Sequence, residues 1–144
     1  MRFCILILVL SIGFFGCSKG GETSSTTPKP PPVVGVEPSL TAINGVTVDI
    51  DPGATNIYAV VGTSQKMEVR LVAMPASGVT IETKLIKLLD NTTAFTNSIS
   101  STSLINPVTL TGFVPGVLYN VSVVVTSKMT ASNTKTVEFK IAAK

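Results

Sequence analysis

The chain predicts an all-β fold, a two-sheet antiparallel sandwich of about seven to eight strands. Three observations lead there. Val, Thr, Ser and Ile dominate the sequence after the first sixteen residues, and β-branched side chains, stiff at χ1, suit a pleated surface better than a helix. From about residue 37 onward, apolar and polar residues alternate in short runs, the period of a half-buried strand. Turn residues separate the runs, so that the candidates fit within the 108 residues 37–144, which is the spacing of a sandwich.

The segments before the domain differ in kind. Met1-Arg2 supplies a positive start, and Phe3 to Phe15 is an unbroken run of thirteen apolar or small residues. A helix that crosses a bilayer needs about 20 residues, so this run reads as the apolar region of a signal peptide spanning 1–16. Phe14-Phe15-Gly16-Cys17 follows, then Ser18. A Cys after a small residue at the end of such a run resembles the lipobox of bacterial lipoproteins. Phe14 and Phe15 depart from the Leu and small residue usual there, and the alternative is a conventional secretory signal cut after Gly13 or Ser18. The resemblance implies that Cys17 is acylated and becomes the new N-terminus. Two or three acyl chains, at about 0.8 kcal/mol per buried CH₂, then hold the protein on the membrane. Ser18 resembles the residue of lipoproteins sent on to an outer membrane rather than the Asp of those retained. Cys4 leaves with the leader, and the mature domain is left without thiol or disulfide.

Residues 17–36 hold the lipidated Cys and a tether of Gly, Ser, Thr, Lys and Pro with no apolar period. Such a segment buries too little surface to order itself. Pro28, Pro30, Pro31 and Pro32 favour extended polyproline II at about 3.1 Å per residue. The expected role is a spacer that clears the headgroups; a ligand for a proline-recognition domain is the other reading.

The strands of the domain follow in order. Val46, Val48 and Ile50 alternate with Thr47 and Asp49, and Asp51-Pro52-Gly53 ends the run. Ile57 to Val61 is a short apolar segment. Met67, Val69, Leu71 and Ala73 alternate with Lys66, Glu68, Arg70 and Val72, before a turn at Pro75 to Gly78. Val79, Ile81 and Leu85 share one parity. Lys84 to Leu89 also fits a turn of helix, but six residues are too few for an independent one, so a strand with a bulge is expected. Phe95 to Ile99 is a weaker strand. Val108 and Leu110 lead to a turn at Pro115-Gly116. Tyr119, Val121, Val123 and Val125 form the next strand, and Val137, Phe139 and Ile141 the last.

Leu110-Thr111-Gly112-Phe113-Val114-Pro115-Gly116-Val117-Leu118-Tyr119-Asn120-Val121-Ser122-Val123 resembles the region between the fifth and sixth strands of fibronectin type III domains. The resemblance implies an immunoglobulin-like sandwich with a tyrosine corner, in which Tyr119 bonds back to the backbone upstream, with Leu110, Pro115 and Gly116 shaping the turn. The chain has no Trp, so the core tryptophan of typical members is absent. The early runs are also more numerous than expected, which an added or split first strand would explain.

Chemistry is limited by composition. The chain has no His, which excludes a Ser-His-Asp triad, a His proton shuttle and a His-ligated zinc site. Without a mature Cys, thiol catalysis and thiolate metal sites go too. Ser127-Lys128 and Ser64-Gln65-Lys66 are the nearest serine–lysine pairs. The carboxylates are Asp49, Asp51, Glu68, Glu82, Asp90 and Glu138, most on the outward parity of strands. Asp49 and Asp51 share a face, but two carboxylates fall short of the six to eight oxygens calcium takes. Asn91-Thr92-Thr93 and Asn120-Val121-Ser122 match the glycosylation pattern without consequence in a bacterial lipoprotein. No cofactor, metal site or catalytic residue is expected, and the chain reads as no enzyme.

Binding is what is left. Lys66, Arg70, Lys84, Lys87, Lys128, Lys135 and Lys140 are scattered through a chain of net charge +3 and only 13% charged residues; without a basic stripe, nucleic acid is not an expected partner. Of the aromatic side chains, Phe113 and Phe139 are expected in the core and Tyr58 and Phe95 at the surface, a thin basis for stacking on sugars. Outward Val72, Ile86, Leu88 and Val124 form a patch for a protein if clustered and background if scattered. The expected function is a lipid-anchored, non-catalytic binding or adhesion module of the cell envelope, at the outer membrane, with a protein or polysaccharide partner. The alternatives are a pilus-like structural subunit, or an inhibitor that presents the loops Asn91 to Thr102 and Met129 to Thr134 to a protease or hydrolase.

Overall fold

The computed structural model describes residues 35–50 and 59–144, and Gly35–Lys144 forms one compact unit. Eight strands make two sheets. β1 (Val46–Ile50), β3 (Ser64–Leu71) and β6 (Ile105–Thr111) form a three-stranded sheet in the order β1-β3-β6. β2 (Ala59–Val60), β4 (Val79–Lys87), β5 (Thr93–Ser101), β7 (Leu118–Ser127) and β8 (Thr134–Ala143) form a five-stranded sheet in the order β2-β8-β7-β4-β5.

Period-two alternation builds the core. Met67, Val69, Leu71, Val108 and Leu110 point inward from the smaller sheet. Val79, Ile81, Leu85, Val121, Val123, Val125 and Ile141 meet them from the larger one. Each such side chain contributes about 1.5–3 kcal/mol on full burial. The residues between them on each strand stay at the surface, as the register requires.

The first strand is split between the sheets. β1 pairs antiparallel with β3, whereas β2 pairs parallel with β8, Ala59 opposite Ala142 and Val60 opposite Ala143. The sandwich is therefore not antiparallel throughout. β1, β2 and β8 all run in the same direction. The remaining order, β8-β7-β4-β5 facing β1-β3-β6, is compatible with a fibronectin type III-like sandwich. The expected turn at Asp51-Pro52-Gly53, along with Ile57 and Tyr58, lies outside the described residues.

Three boundaries differ from the sequence pattern. Ala73 does not continue β3: the strand ends at Leu71 and Ala73 is exposed, one residue past Val72, whose amide makes the last bond to β1's side at the Gly45 carbonyl. β4 runs through Lys87, with a register shift against β5 between Leu85 and Ile86, and Leu88 and Leu89 fall in the turn that follows. The weak run Phe95 to Ile99 is the centre of a nine-residue strand. Asn91 to Thr102 is thus mostly strand rather than a presenting loop, and β4's hydrogen bonds account for it.

The strands give the unit two ends. The chain enters beside the β3–β4, β5–β6 and β7–β8 connections. The β2–β3, β4–β5 and β6–β7 connections and the end of β8 lie at the other, hereafter the far end.

Candidate functional site

At the entrance end, polar side chains clamp the incoming chain. Asn133 accepts the Leu40 amide at 2.8 Å and donates to the Pro38 carbonyl at 2.9 Å and to Glu37 Oε2 at 3.2 Å. The Ser127 hydroxyl donates to Glu37 Oε1 and accepts the amides of Met129 and Thr130. The Ser127 bond, with help from Asn133 and Thr130, holds the Glu37 carboxyl below its ordinary pKa against a smaller desolvation effect. Leu40 is then fixed in the core, 1% exposed. This cluster orients the first strand. It also occupies Ser127, so Ser127-Lys128 has no free nucleophile to offer.

At the far end, Tyr119 lies fully buried, and its hydroxyl accepts the Val114 amide at 2.8 Å and donates to the Gly112 carbonyl at 3.4 Å. Its ring meets Phe113 edge to face, centroids 5.2 Å apart, a favoured aromatic arrangement. Gly116 donates to Ala143 at 2.9 Å, Ala143 donates to Val117 at 3.1 Å, and Leu88 donates to Leu118 at 3.0 Å. The β6–β7 connection, the end of β8 and the β4–β5 turn are thereby joined into one frame.

An apolar groove of about 360 Å³ opens on this frame, lined by Leu88, Leu89, Gly116, Val117 and Leu118. Leu89 is 92% exposed, and Leu118 and Val114 are nearly half exposed. The turn that carries Leu89 is itself pinned. Asp90 accepts both the amide and the hydroxyl of Thr92, at 3.0 and 2.7 Å, which lowers the Asp90 pKa, and Asn91 takes a left-handed backbone, φ 55, which Asn tolerates better than other side chains. Exposed leucines on a braced frame are a surface ready to be covered.

The other sequence candidates separate. Val72 is exposed at the entrance end. Val124 stands on the outer face of the larger sheet between Glu82 and Thr136, and half-buried Ile86 stands opposite Asn120. Only Leu88 of the four lines the groove, so they make no single patch. Asp49 faces Glu68 across β1 and β3, and Arg70 reaches both, at 3.8 and 2.6 Å; the pair is an ion cluster on an open sheet face. Asp51 lies outside the described residues. Among the described residues no three His, Cys, Asp or Glu side chains gather where a metal could bind. Phe113 is core, while Phe95 and Phe139 are half-buried against it, so Phe95 is not the exposed ring expected, and Tyr58 lies outside the described residues.

The groove residues Leu89 and Leu118 were not legible as a site in the sequence. The adjacent Leu88-Leu89 before Asp90-Asn91 was the available signal: two leucines at a hairpin tip, where burial is scarce.

No protein-family model matches the chain, and no curated protein matches it in sequence. Two solved structures of the sensor domain of the anti-sigma factor RsgI4 from Pseudobacteroides cellulosolvens are similar in shape. One, a solution structure, has 18% identity and a TM-score of 0.40, covering 68% of this chain and 76% of the other. The second, of a short form of that domain, has 18% identity and a TM-score of 0.38, covering 72% of this chain and all of the other. At that level of superposition the likeness says nothing of what this chain binds.

Proposed function

We propose that the protein is a lipid-anchored lipoprotein of the cell envelope, at the outer membrane, and that its sandwich is a non-catalytic module binding a protein through the far end. The observation that carries the reading is the exposed leucine groove at the end opposite the chain's entrance. A domain held by its N-terminal segment through Cys17 meets a partner most readily with the end farthest from that segment. The groove's volume suits one or two apolar side chains of a peptide segment. Covering it gains about 25 cal/mol per Å² of apolar surface, and the braced frame spares the cost of ordering the site. A polysaccharide is the poorer fit, because among the described residues no aromatic ring stands fully exposed to stack on a sugar.

The test is photo-crosslinking in the native cell. A photoreactive amino acid at position 89 is expected to give a discrete adduct, and the same group at Ser132, at the entrance end, none. Equal adducts at both positions, or none at 89, would overturn the far-end reading.

A further inference from the structure

Sheet edges are where chains join, and three of the four edges here are blunted. β1 is five residues long and carries Asp49, held with Glu68 by Arg70. β6 carries Pro107. β2 has two residues and pairs only with Ala142 and Ala143, and the part of β8 before them carries Lys135, Glu138 and Lys140. Short strands, charge and proline are the usual protections of an edge. β5 is different: nine residues, Thr-Ala-Phe-Thr-Asn-Ser-Ile-Ser-Ser, with no charge and no proline. Its one irregularity, at Ala94, falls near one end and leaves Phe95 to Ser101 in regular register.

The free hydrogen-bonding groups of this edge follow from parity. Lys87 donates its amide to Thr92, and Leu88 donates its amide to Leu118. Odd-numbered residues of β4 therefore turn their backbone groups to β5 and even-numbered ones to β7. Thr83 pairs with Asn97, Ile81 with Ile99 and Leu85 with Phe95, so odd-numbered β5 residues are bonded to β4. Thr96, Ser98 and Ser100 point their N–H and C=O groups off the open side, and all three are exposed.

We infer that this edge pairs with the same edge of a second copy, antiparallel about a two-fold axis at Asn97. The sequence of β5 is symmetric in character about that residue. Thr96 would face Ser98 of the second copy, and Phe95 would face Ile99. Hydroxyl residues meet on the outer face and apolar residues on the inner, and no like charges oppose. Thr96 and Ser98 exchange about four backbone hydrogen bonds across the axis. Phe95 and Ile99, half-buried at the flank of the core, cover each other. The product is a continuous ten-stranded sheet with an isologous interface. The pairing reverses one copy relative to the other over a strand of about 30 Å. The nineteen residues from Cys17 to Gly35 reach up to about 60 Å, so one bilayer can hold both copies. The pairing itself does not depend on the anchor.

The experiment uses a soluble form, Ser18–Lys144, in sedimentation equilibrium from micromolar to about millimolar concentration. The expected result is a monomer–dimer equilibrium that Ser98→Lys weakens at least tenfold, because each lysine would lie beside the other copy's edge. Ser98→Pro removes only an outward N–H and is expected to weaken it similarly. Asn97→Cys locates the axis. Directly opposite residues without mutual hydrogen bonds lie about 4.5 Å apart at Cα, within disulfide range, and the form has no other thiol. Asn97→Cys is expected to cross-link under mild oxidation and Ser64→Cys, on β3, to form no such disulfide. A strict monomer over the whole range, or a dimer that Ser98→Lys leaves unchanged, would overturn the inference.

Discussion

Tyr119 and Thr83 make opposite cases for a buried hydroxyl. The Tyr119 oxygen accepts the Val114 amide and fixes the β6–β7 connection. Tyr119→Phe keeps the ring against Phe113 and removes the acceptor, so it is expected to cost about 1–2 kcal/mol. For a domain of this size that is a fall of several degrees in thermal midpoint, read by circular dichroism. Thr83 is 1% exposed, and its hydroxyl has no hydrogen-bond partner among the described residues. Thr83→Val puts a methyl where an unsatisfied oxygen sat, and about 1 kcal/mol of added stability is expected in the same measurement. Glu37 adds a dependence on pH. Its folded pKa is depressed, chiefly by the Ser127 hydroxyl, so its contribution is present above the unfolded pKa and is lost as pH falls through the folded one. In urea unfolding, Glu37→Gln is expected to lower the midpoint at pH 7, and the difference from the unmodified chain to shrink on acidification. A constant difference across the range would show that the carboxylate's charge is not what the clamp uses.

Turns and edges decide how the elements meet. Gly78 and Gly116 both have φ +78, yet their surroundings differ. A Cβ on Gly78 would sit 2.5 Å from the Ser101 carbonyl oxygen, while one on Gly116 would meet nothing within 4 Å. Gly116→Ala is expected to cost about 1 kcal/mol, the strain of the left-handed backbone alone. Gly78→Ala must also move backbone between the β3–β4 turn and the end of β5, and should lower the unfolding midpoint clearly further; equal losses would show that this approach relaxes freely. What the sequence made legible follows the same division. β3, β4, β7 and β8 announced themselves because their inward residues are large and their outward ones polar. β5 was faint because its outward positions are Ser and Thr and only Phe95 and Ile99 mark its inner face. The parallel pairing of β2 with β8 was not legible at all, since two residues carry no register. The groove escaped for a related reason: Leu89 lies in the β4–β5 turn and Val117 and Leu118 lie where β7 begins, and only the pairing of β7 with β4 brings them together.

At the scale of the whole molecule, the proposed anchor and the folded unit occupy different stretches of chain. Cys17 lies before the compact unit Gly35–Lys144, and that unit contains no cysteine. If Cys17 carries the acyl chains, its replacement should move the protein without weakening it. Cys17→Ala is expected to shift the protein from the membrane to the soluble fraction of the envelope, because two or three chains at about 0.8 kcal/mol per buried CH₂ are lost together. The thermal midpoint of the released protein should match that of residues 35–144 alone, each with one cooperative transition. The two readings fail separately. A protein that stays in the membrane fraction after Cys17→Ala has another means of attachment, and the lipid anchor is wrong. A released protein with a higher midpoint than residues 35–144 owes stability to the segment before Gly35, and the boundary of the domain, not the anchor, must move toward the N-terminus.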